Sequence, residues 1–336
     1  MRVWDSSEGD MAAQRTSVEQ RQQPTIFFVI PCYNEIEQLP ITAPVLQKKI
    51  SALKSSHLIA EDSRVLFVDD GSKDGTWQYI RQLNKTDASL FHGVKLAHNR
   101  GHQNALLAGL MTALSQGCDA AISLDADLQD DINVFDEFVK QYVSGAEIVY
   151  GVRSSRNKDT WFKRNTAEAF YALNAWMGAE TIRDHADYRL MGRAALQALS
   201  EYGEVNLFLR GIVPELGFST AVVTYERGER EAGESKYPLK KMISFAVEGI
   251  TSFSVKPLHF VTGMGMLSIL VGIGMFIYVI VSWANNNVVS GWGSIMCSLW
   301  LIGGLLMLSM GIIGEYVGKI YLEAKHRPRY VIETEI

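Results

Sequence analysis

Between Lys256 and Glu315 the chain carries no Asp, Glu, Lys or Arg, a charge-free stretch of 58 residues. All 32 Lys and Arg and all 37 Asp and Glu of the 336-residue chain lie outside it. A mean hydropathy near zero is therefore an average over two unlike parts. One is a body of ordinary soluble charge density, the other an apolar C-terminal segment. The pattern argues against a wholly soluble globule. It also argues against a polytopic transporter, because such a gap has room for about two spans.

Residues 258–283 and 292–314 form two apolar runs, separated by a polar turn at 284–291 that contains Asn285, Asn286 and Asn287. Each run exceeds the roughly 20 residues needed to cross a bilayer. A helix in a soluble core usually keeps a charged face, and neither run has one. The reading is two transmembrane helices, with a pair of buried core helices as the alternative. Lys236, Lys240, Lys241 and Lys256 precede the first run, and Lys319, Lys325, Arg327 and Arg329 follow the second. The connecting turn has no basic residue, so the positive-inside rule places both termini and the soluble domain on the cytoplasmic side of the inner membrane. Trp283, Trp292 and Tyr278 suit the interfaces. In 238–256, the residues Leu239, Met242, Ile243, Ala246, Ile250 and Phe253 recur at helical spacing. That stretch reads as an amphipathic juxtamembrane helix on the membrane surface or packed on the soluble domain. Gly263, Gly265, Gly272, Gly274, Gly303 and Gly304 permit close helix packing, within one chain or in a homo-oligomer.

The remaining composition narrows the function. A net charge of −5 without a long basic run argues against nucleic acid as a partner. Cys32, Cys118 and Cys297 are far apart and form no CxxC, which suggests neither a disulfide framework nor a zinc site and fits a reducing compartment. Residues 1–23 are polar and lack the apolar core of a signal peptide, so they read as a flexible extension. From 24 to 237, strand-like runs at 25–30, 65–68, 94–96, 120–124 and 148–151 alternate with helical patterns at 36–54, 75–84, 102–116 and 131–144. This βαβ series predicts an α/β domain with a mainly parallel, Rossmann-like sheet. Ligands of such sheets bind beyond the C-terminal ends of the strands. Asn34, Glu35, Asp69, Asp70, Asp125, Asp127 and Arg153 collect at those ends.

Three segments carry the chemistry. Asp125-Ala126-Asp127-Leu128-Gln129-Asp130 delivers two carboxylates at i and i+2, then an amide, which suits a hard divalent cation shared with substrate phosphates. A solvated helix cap is the plainer reading. Val68-Asp69-Asp70-Gly71-Ser72-Lys73-Asp74-Gly75-Thr76 ends a strand in two acids, which can accept from a base N–H or a ribose hydroxyl. Gly71 and Gly75 permit tight turns, and Asp74 can cap the next helix. In Pro31-Cys32-Tyr33-Asn34-Glu35, Tyr33 can stack on a base, and Glu35 can bind it or start a helix.

In this order, the three segments resemble the family 2 glycosyltransferases with a GT-A fold. Further matches resemble the polyprenyl-phosphate branch of that family, which includes dolichyl-phosphate mannose synthases and bacterial undecaprenyl-phosphate glucosyltransferases. They are Asn99-Arg100-Gly101-His102 with Ala105–Gly109, Gly151-Val152-Arg153, Asp187-Tyr188-Arg189-Leu190-Met191 and Arg230-Glu231-Ala232-Gly233-Glu234-Ser235-Lys236-Tyr237. The tail Gly314-Glu315-Tyr316-Val317-Gly318-Lys319-Ile320-Tyr321, with Arg327-Pro328-Arg329-Tyr330 and the two apolar runs, is similar to the bacterial two-span form. The resemblance implies that Pro31, Tyr33, Glu35 and Asp70 line the nucleotide pocket with Asp69 close by. It implies that Asp125, Asp127 and Gln129 hold Mg²⁺ or Mn²⁺ against the donor diphosphate. Asp187 is the family's candidate base, while Arg153, Arg230, Ser235 and Lys236 bind phosphates of donor or acceptor. The chain departs from the family pattern in Ala186, where members usually carry Gly, in Asp184, a rival acid, and in Asp130-Asp131-Ile132-Asn133, where prolines are common.

The reaction so implied is inverting transfer of a sugar from a nucleotide-diphosphate sugar, first choice UDP-glucose, to undecaprenyl phosphate. A lipid phosphate is already charged at neutral pH and scarcely needs a base, so Asp187 can serve mainly to orient groups. Two short spans without charged residues offer no flipping path, so a separate flippase is expected downstream. The rival readings are a processive polysaccharide synthase, whose Gln-x-x-Arg-Trp motif is absent, and a catalytically inactive nucleotide-sugar-binding or assembly subunit.

Overall fold

The structure, a computed structural model, describes residues 23–153, 185–226 except 206, and 291–336, with isolated positions between 261 and 277. The chain divides into two units. The larger contains an eight-stranded mixed sheet in the order β7-β5-β6-β4-β1-β2-β3-β8.

The first strands are β1 (Ile26–Cys32), β2 (Arg64–Asp69), β3 (Phe91–Leu96) and β4 (Ala120–Ser123). They pair in parallel, with β1 between β2 and β4. Every residue of β1 is buried, as expected of a central parallel strand covered on both faces. The helices joining these strands are α1 (Leu39–Ser55), α2 (Thr76–Thr86) and α3 (His102–Ser115). In α1, Leu39, Ala43, Leu46, Ile50 and Leu53 recur at three- and four-residue steps and are buried, so one stripe packs inward. α3 approaches the sheet through Gly109, where an added Cβ would lie 2.7 Å from the Val68 side chain and also strike Val29. Those strands and helices follow the expected βαβ series.

The other half is different. A 3₁₀ turn at Ile132–Val134 leads into α4 (Phe135–Val143) and β5 (Ile148–Arg153). β6 (His185–Gly192) runs antiparallel to both β4 and β5. α5 (Arg193–Glu201), α6 (Leu209–Glu215) and β7 (Thr220–Tyr225) follow, and β7 pairs in parallel with β5. The sheet keeps a majority of parallel pairings, as expected, but is mixed. The physical reason is β6, whose reversed direction satisfies the inner edges of β4 and β5 together.

In the second unit, α7 (Trp292–Ala324) spans 33 residues, roughly 50 Å at helical rise. Within it, Leu305–Ala324 is long and apolar enough to cross a membrane, and Leu306, Met307, Leu308 and Met310 are exposed. The apolar run ends at Gly314, yet the helix continues for ten residues, because nothing breaks it before His326 (φ 47°) and Pro328. The first apolar run lies outside the described residues apart from isolated positions, as do 1–22 and 238–256. The last residues are not a free tail. β8 (Ile332–Glu335) pairs antiparallel with β3. Gly93 and Ile336 exchange backbone hydrogen bonds of 3.0 and 2.9 Å, and Lys95 Nζ lies 2.8 Å from Glu333 Oε2.

Candidate active site

The acidic residues gather where β1, β2 and β4 end and β6 begins. On the β1–β2 side, acids organise backbone. Asp70 is 2% exposed, and its two carboxylate oxygens accept from the N–H groups of Arg100 (2.7 Å) and Gly101 (2.9 Å). Gly71 (φ 66°) lets the turn press on this loop, since a Cβ there would lie 2.7 Å from Asn99 N. Asp70 thus fixes the loop that starts α3. Asp74 accepts from Thr76 N and Oγ1, as a turn-forming acid should. Asn34, with φ 55°, accepts from Lys73 N and donates its own N–H to Ser72 Oγ, so the turns after β1 and β2 are laced together. Pro31 is buried opposite Val68, whereas the Tyr33 ring is exposed. The Glu35 N–H donates to Thr76 Oγ1. Asp69 is fully buried. One of its oxygens accepts from Ser72 N (3.1 Å), and Oδ2 has no partner among the described residues. Burial raises the pKa of both Asp69 and Asp70.

On the β4–β6 side, the loop 125–131 is pinned at three points. Thr42 Oγ1 of α1 donates to Ala126 O (2.6 Å). Tyr225 OH, from the end of β7, donates to the buried Asp130 carboxylate, which also meets Arg153 Nη2 at 3.4 Å. Tyr188 OH donates to Asp131 O (2.9 Å). Asp125, Asp127 and Gln129 stay only half-buried between these anchors. Leu128, at φ 52°, holds a conformation that bulky residues rarely adopt and that persists where the surroundings impose it. Burial and the neighbouring carboxylates of Asp130, Asp187 and Asp127 push Asp125 up to about 6, with His102 opposing.

Asp187 stands next to this loop because β6 pairs with β4. Ser123 Oγ donates to the Asp187 carbonyl, and Arg189 lies opposite Ser123 in register. The Asp187 carboxylate is 11% exposed and ringed by cations. Oδ1 accepts from Arg189 Nη2 (2.8 Å) and Arg210 Nε (3.2 Å), and Oδ2 from Arg210 Nη2 (3.1 Å). His102 Nε2 sits 3.6 Å from both Asp187 Oδ2 and Asp125 Oδ1. Burial alone would raise the Asp187 pKa. The adjacent His102 and the charges of Arg210 and Arg189 outweigh it and hold Asp187 well below the usual carboxylate range.

The structure therefore brings Asp125 and Asp187 together through His102, and it places Arg153 on Asp130 and Tyr225. Arg230, Ser235, Lys236 and the rival acid Asp184 lie outside the described residues. Sequence reasoning missed the parts played by His102, Arg210, Asp130, Tyr225 and Thr42. His102 belongs to the quoted Asn99–His102 match and was there to be noticed. Asp130 likewise closes the quoted Asp125–Asp130 stretch, whereas Arg210, Tyr225 and Thr42 carry no local signal, because their partners are 20 to 100 residues away.

A Rossmann-like mixed sheet with acid pairs at its strand ends defines a GT-A type transferase. Residues 27–200 match Glycosyl transferase family 2, and the chain belongs to that family: it is a glycosyltransferase. An uncharacterized glycosyltransferase of Bacillus subtilis, YkoT, is 50% identical over 94% of this chain and 93% of its own length. A bactoprenol glucosyl transferase of Shigella phage SfV is 38% identical over 92% of this chain and 98% of its own. Among solved structures, a mannosyltransferase from Pyrobaculum calidifontis in complex with GDP-Man and Mn²⁺ covers 94% of both chains at 15% identity, with a TM-score of 0.42.

Proposed function

We propose that the protein transfers glucose from UDP-glucose to undecaprenyl phosphate, with inversion, at the cytoplasmic face of the inner membrane. The observation that carries this reading is the 38% identity, over nearly the whole chain, to a protein named bactoprenol glucosyl transferase. The lipid phosphate oxygen attacks the anomeric carbon from the face opposite the nucleotide. A single displacement of this kind inverts the centre.

Asp125, Asp127 and Gln129 would hold Mg²⁺ or Mn²⁺. No group of three His, Cys, Asp or Glu is placed to bind a metal among the described residues. Mg²⁺ needs only one or two carboxylates when substrate phosphates complete its shell. The half-buried oxygen donors of Asp125, Asp127 and Gln129 fit that demand. A bound ion would supply electrostatic stabilisation of the departing diphosphate.

The other roles follow the resemblance. The exposed Tyr33 ring stacks on the base, with Pro31 and Glu35 alongside. Asp69 offers its unpartnered oxygen to the base or ribose. Asp70 shapes the pocket by holding the 99–101 loop. Arg153 steadies Asp130 while facing the donor phosphates, and Arg230, Ser235 and Lys236 meet the phosphates of donor or acceptor. The apolar segments anchor the domain as a two-span hairpin with both termini cytoplasmic. They raise the effective concentration of a long insoluble acceptor. The product then needs a separate flippase.

The test presents purified full-length protein with undecaprenyl phosphate, Mn²⁺ or Mg²⁺, and a panel of UDP-glucose, UDP-GlcNAc, UDP-galactose and GDP-mannose. Glucose transfer that stops with EDTA and yields an inverted anomer is the expected result. Transfer from a different donor would reassign the sugar. No transfer from any donor would favour a non-catalytic binding subunit.

A further inference from the structure

β8 is the last element of the chain, yet the backbone it holds leads into the active site. We infer that β8 is a positioning element of that site: by holding Ala97 it fixes the loop 98–101 and, through it, His102 against Asp125 and Asp187. The inference rests on the glycosyl-transfer reading above. It deepens that reading by adding the C-terminal segment to the groups that set the donor side.

The segment after β3 has little packing of its own. Ala97 to His102 are all exposed, so a few hydrogen bonds set its path. From one side, Asp70 accepts from Arg100 N and Gly101 N, and the bare Cα of Gly71 leaves room for His98 and Asn99. At the entry, Ala97 N donates to Val331 O (2.9 Å). His102 follows directly and starts α3, with its Nε2 3.6 Å from both Asp125 Oδ1 and Asp187 Oδ2. An exposed segment fixed by so few bonds opens locally when one of them is lost.

β8 can hold Ala97 because it is fastened along its length. Gly93 and Ile336 exchange both backbone hydrogen bonds, and the Ile336 side chain packs on the core. A Cβ added at Gly93 would lie 3.3 Å from Ile336 Cγ1 and closer still to Ile80 and Trp77, so Gly93 makes the room that Ile336 uses. Hydrogen-bonded pairs of an antiparallel ladder recur at every second residue. Thr334 and Lys95, opposite each other in register, are therefore the next such pair. Beyond them the register shifts, with Glu333 as the extra residue, and past this bulge Val331 meets Ala97. Ahead of the strand, Arg329 Nη1 donates to Tyr202 O (2.7 Å), just after α5. Pro328–Ile336 belong to the same unit as the sheet. Covering an edge is what any last strand does; the bond to Ala97 is what ties this one to the site.

The experiment combines steady-state sugar transfer by full-length protein in detergent with amide hydrogen exchange read by mass spectrometry. Thr334→Pro removes the ladder donor at an exposed position. It should lower kcat/KM for UDP-glucose about tenfold, the scale of a small misplacement carried to a site, while KM for undecaprenyl phosphate changes less than about twofold. Exchange in 97–101 should quicken about tenfold, with the buried β1 protected as in wild type. Thr334→Ala, which restores the N–H, should return both readouts to wild type. Arg329→Ala should act in the same direction more weakly, and Arg329→Lys should recover part of its loss. An unchanged kcat/KM for UDP-glucose in Thr334→Pro overturns the inference, since β8 would then only cover an edge. So does a loss of activity without faster exchange in 97–101, or one in which acceptor KM rises as much as donor KM. Should Thr334→Pro unfold globally, seen as lost protection of β1, the two Arg329 variants are read by the same criteria. Wild-type protein that transfers sugar from no donor would sink the underlying reading instead, and the exchange readout would still decide whether β8 holds the loop.

Discussion

The two sides of the crevice use acidic residues in opposite ways. Beside β1 and β2, carboxylates accept from backbone: Asp70 from Arg100 and Gly101, Asp74 from Thr76, Asp69 from Ser72. Beside β4 and β6, the two most buried are held by side chains, Asp187 by two arginines and Asp130 by Tyr225 and Arg153, while Asp127 and Asp131 also accept from the N–H groups of Gln129 and Asn133. An acid bonded to backbone N–H groups builds a rigid loop and has little left for chemistry. An acid set among side chains keeps a charge that neighbours can tune. The difference teaches that a strand-end carboxylate is not by itself a ligand, and that its partners decide.

The largest effect that separates the two sides is on turnover. Asp127→Asn should lower sugar transfer by about 10²–10³-fold, the scale of losing one preorganised electrostatic contact in the transition state. Its unfolding midpoint should stay near wild type, because Asp127 lies half-exposed in a loop anchored by other residues. Urea unfolding together with a transfer assay reads both. Full activity in this variant would remove Asp127 from the site.

Asp70→Asn should show the reverse balance. An amide can accept only one of the two N–H groups and turns a donor toward the other, which costs about 1–3 kcal/mol for a buried unsatisfied group. Urea unfolding should move by that amount, and UDP affinity should fall as the 99–101 loop loosens. If Asp70→Asn were as stable as wild type while turnover collapsed, the division between backbone-holding and chemical acids would fail.

Tyr225→Phe probes the other side by the same logic. The buried Asp130 loses its hydroxyl donor and keeps only Arg153 at 3.4 Å. Stability should fall by about 1–2 kcal/mol, and the Mn²⁺ concentration for half-maximal activity should rise several-fold as the loop 125–131 slackens. Thermal unfolding and a metal titration of activity check the two parts. An unchanged metal requirement would show that Asp130 anchors the fold without steering the loop.

How much of this could be read beforehand follows the same division. β1 and β2 are parallel strands buried on both faces, so they appear as apolar runs such as IFFVI, each ending at its functional residues. β6 hides, because His185–Gly192 carries Asp187 and the buried Arg189, a charged pair that satisfies itself inside the fold. β7 alternates buried and exposed residues at its end but lacks a turn signal tying it to β5. The acids were visible by spacing, whereas the cations that tune them were not. Arg210 reaches Asp187 from 23 residues away, and Tyr225 reaches Asp130 from 95. Side-chain partners so distant leave no periodic trace, while a carboxylate bonded to its own turn does.

The smallest effect lies at the sheet edge. β8 reads IETE, with a polar and largely exposed pattern, and no hydrophobic periodicity announces it. Its pairing rests on backbone hydrogen bonds to β3 and on the Lys95–Glu333 ion pair, in which Glu333 is 47% exposed. An exposed pair of this kind contributes about 0.2–1 kcal/mol and weakens with salt. Glu333→Ala should therefore shift urea unfolding by no more than that. A double-mutant cycle with Lys95→Ala should recover a coupling that fades at high ionic strength. Turnover should be unaffected in Glu333→Ala, which leaves Lys95 and its charge beside Asp69 in place. A coupling well above 1 kcal/mol would mean that the edge strand is held by charge and not by its ladder. The contrast between backbone-held and side-chain-held regions would then extend beyond the active site.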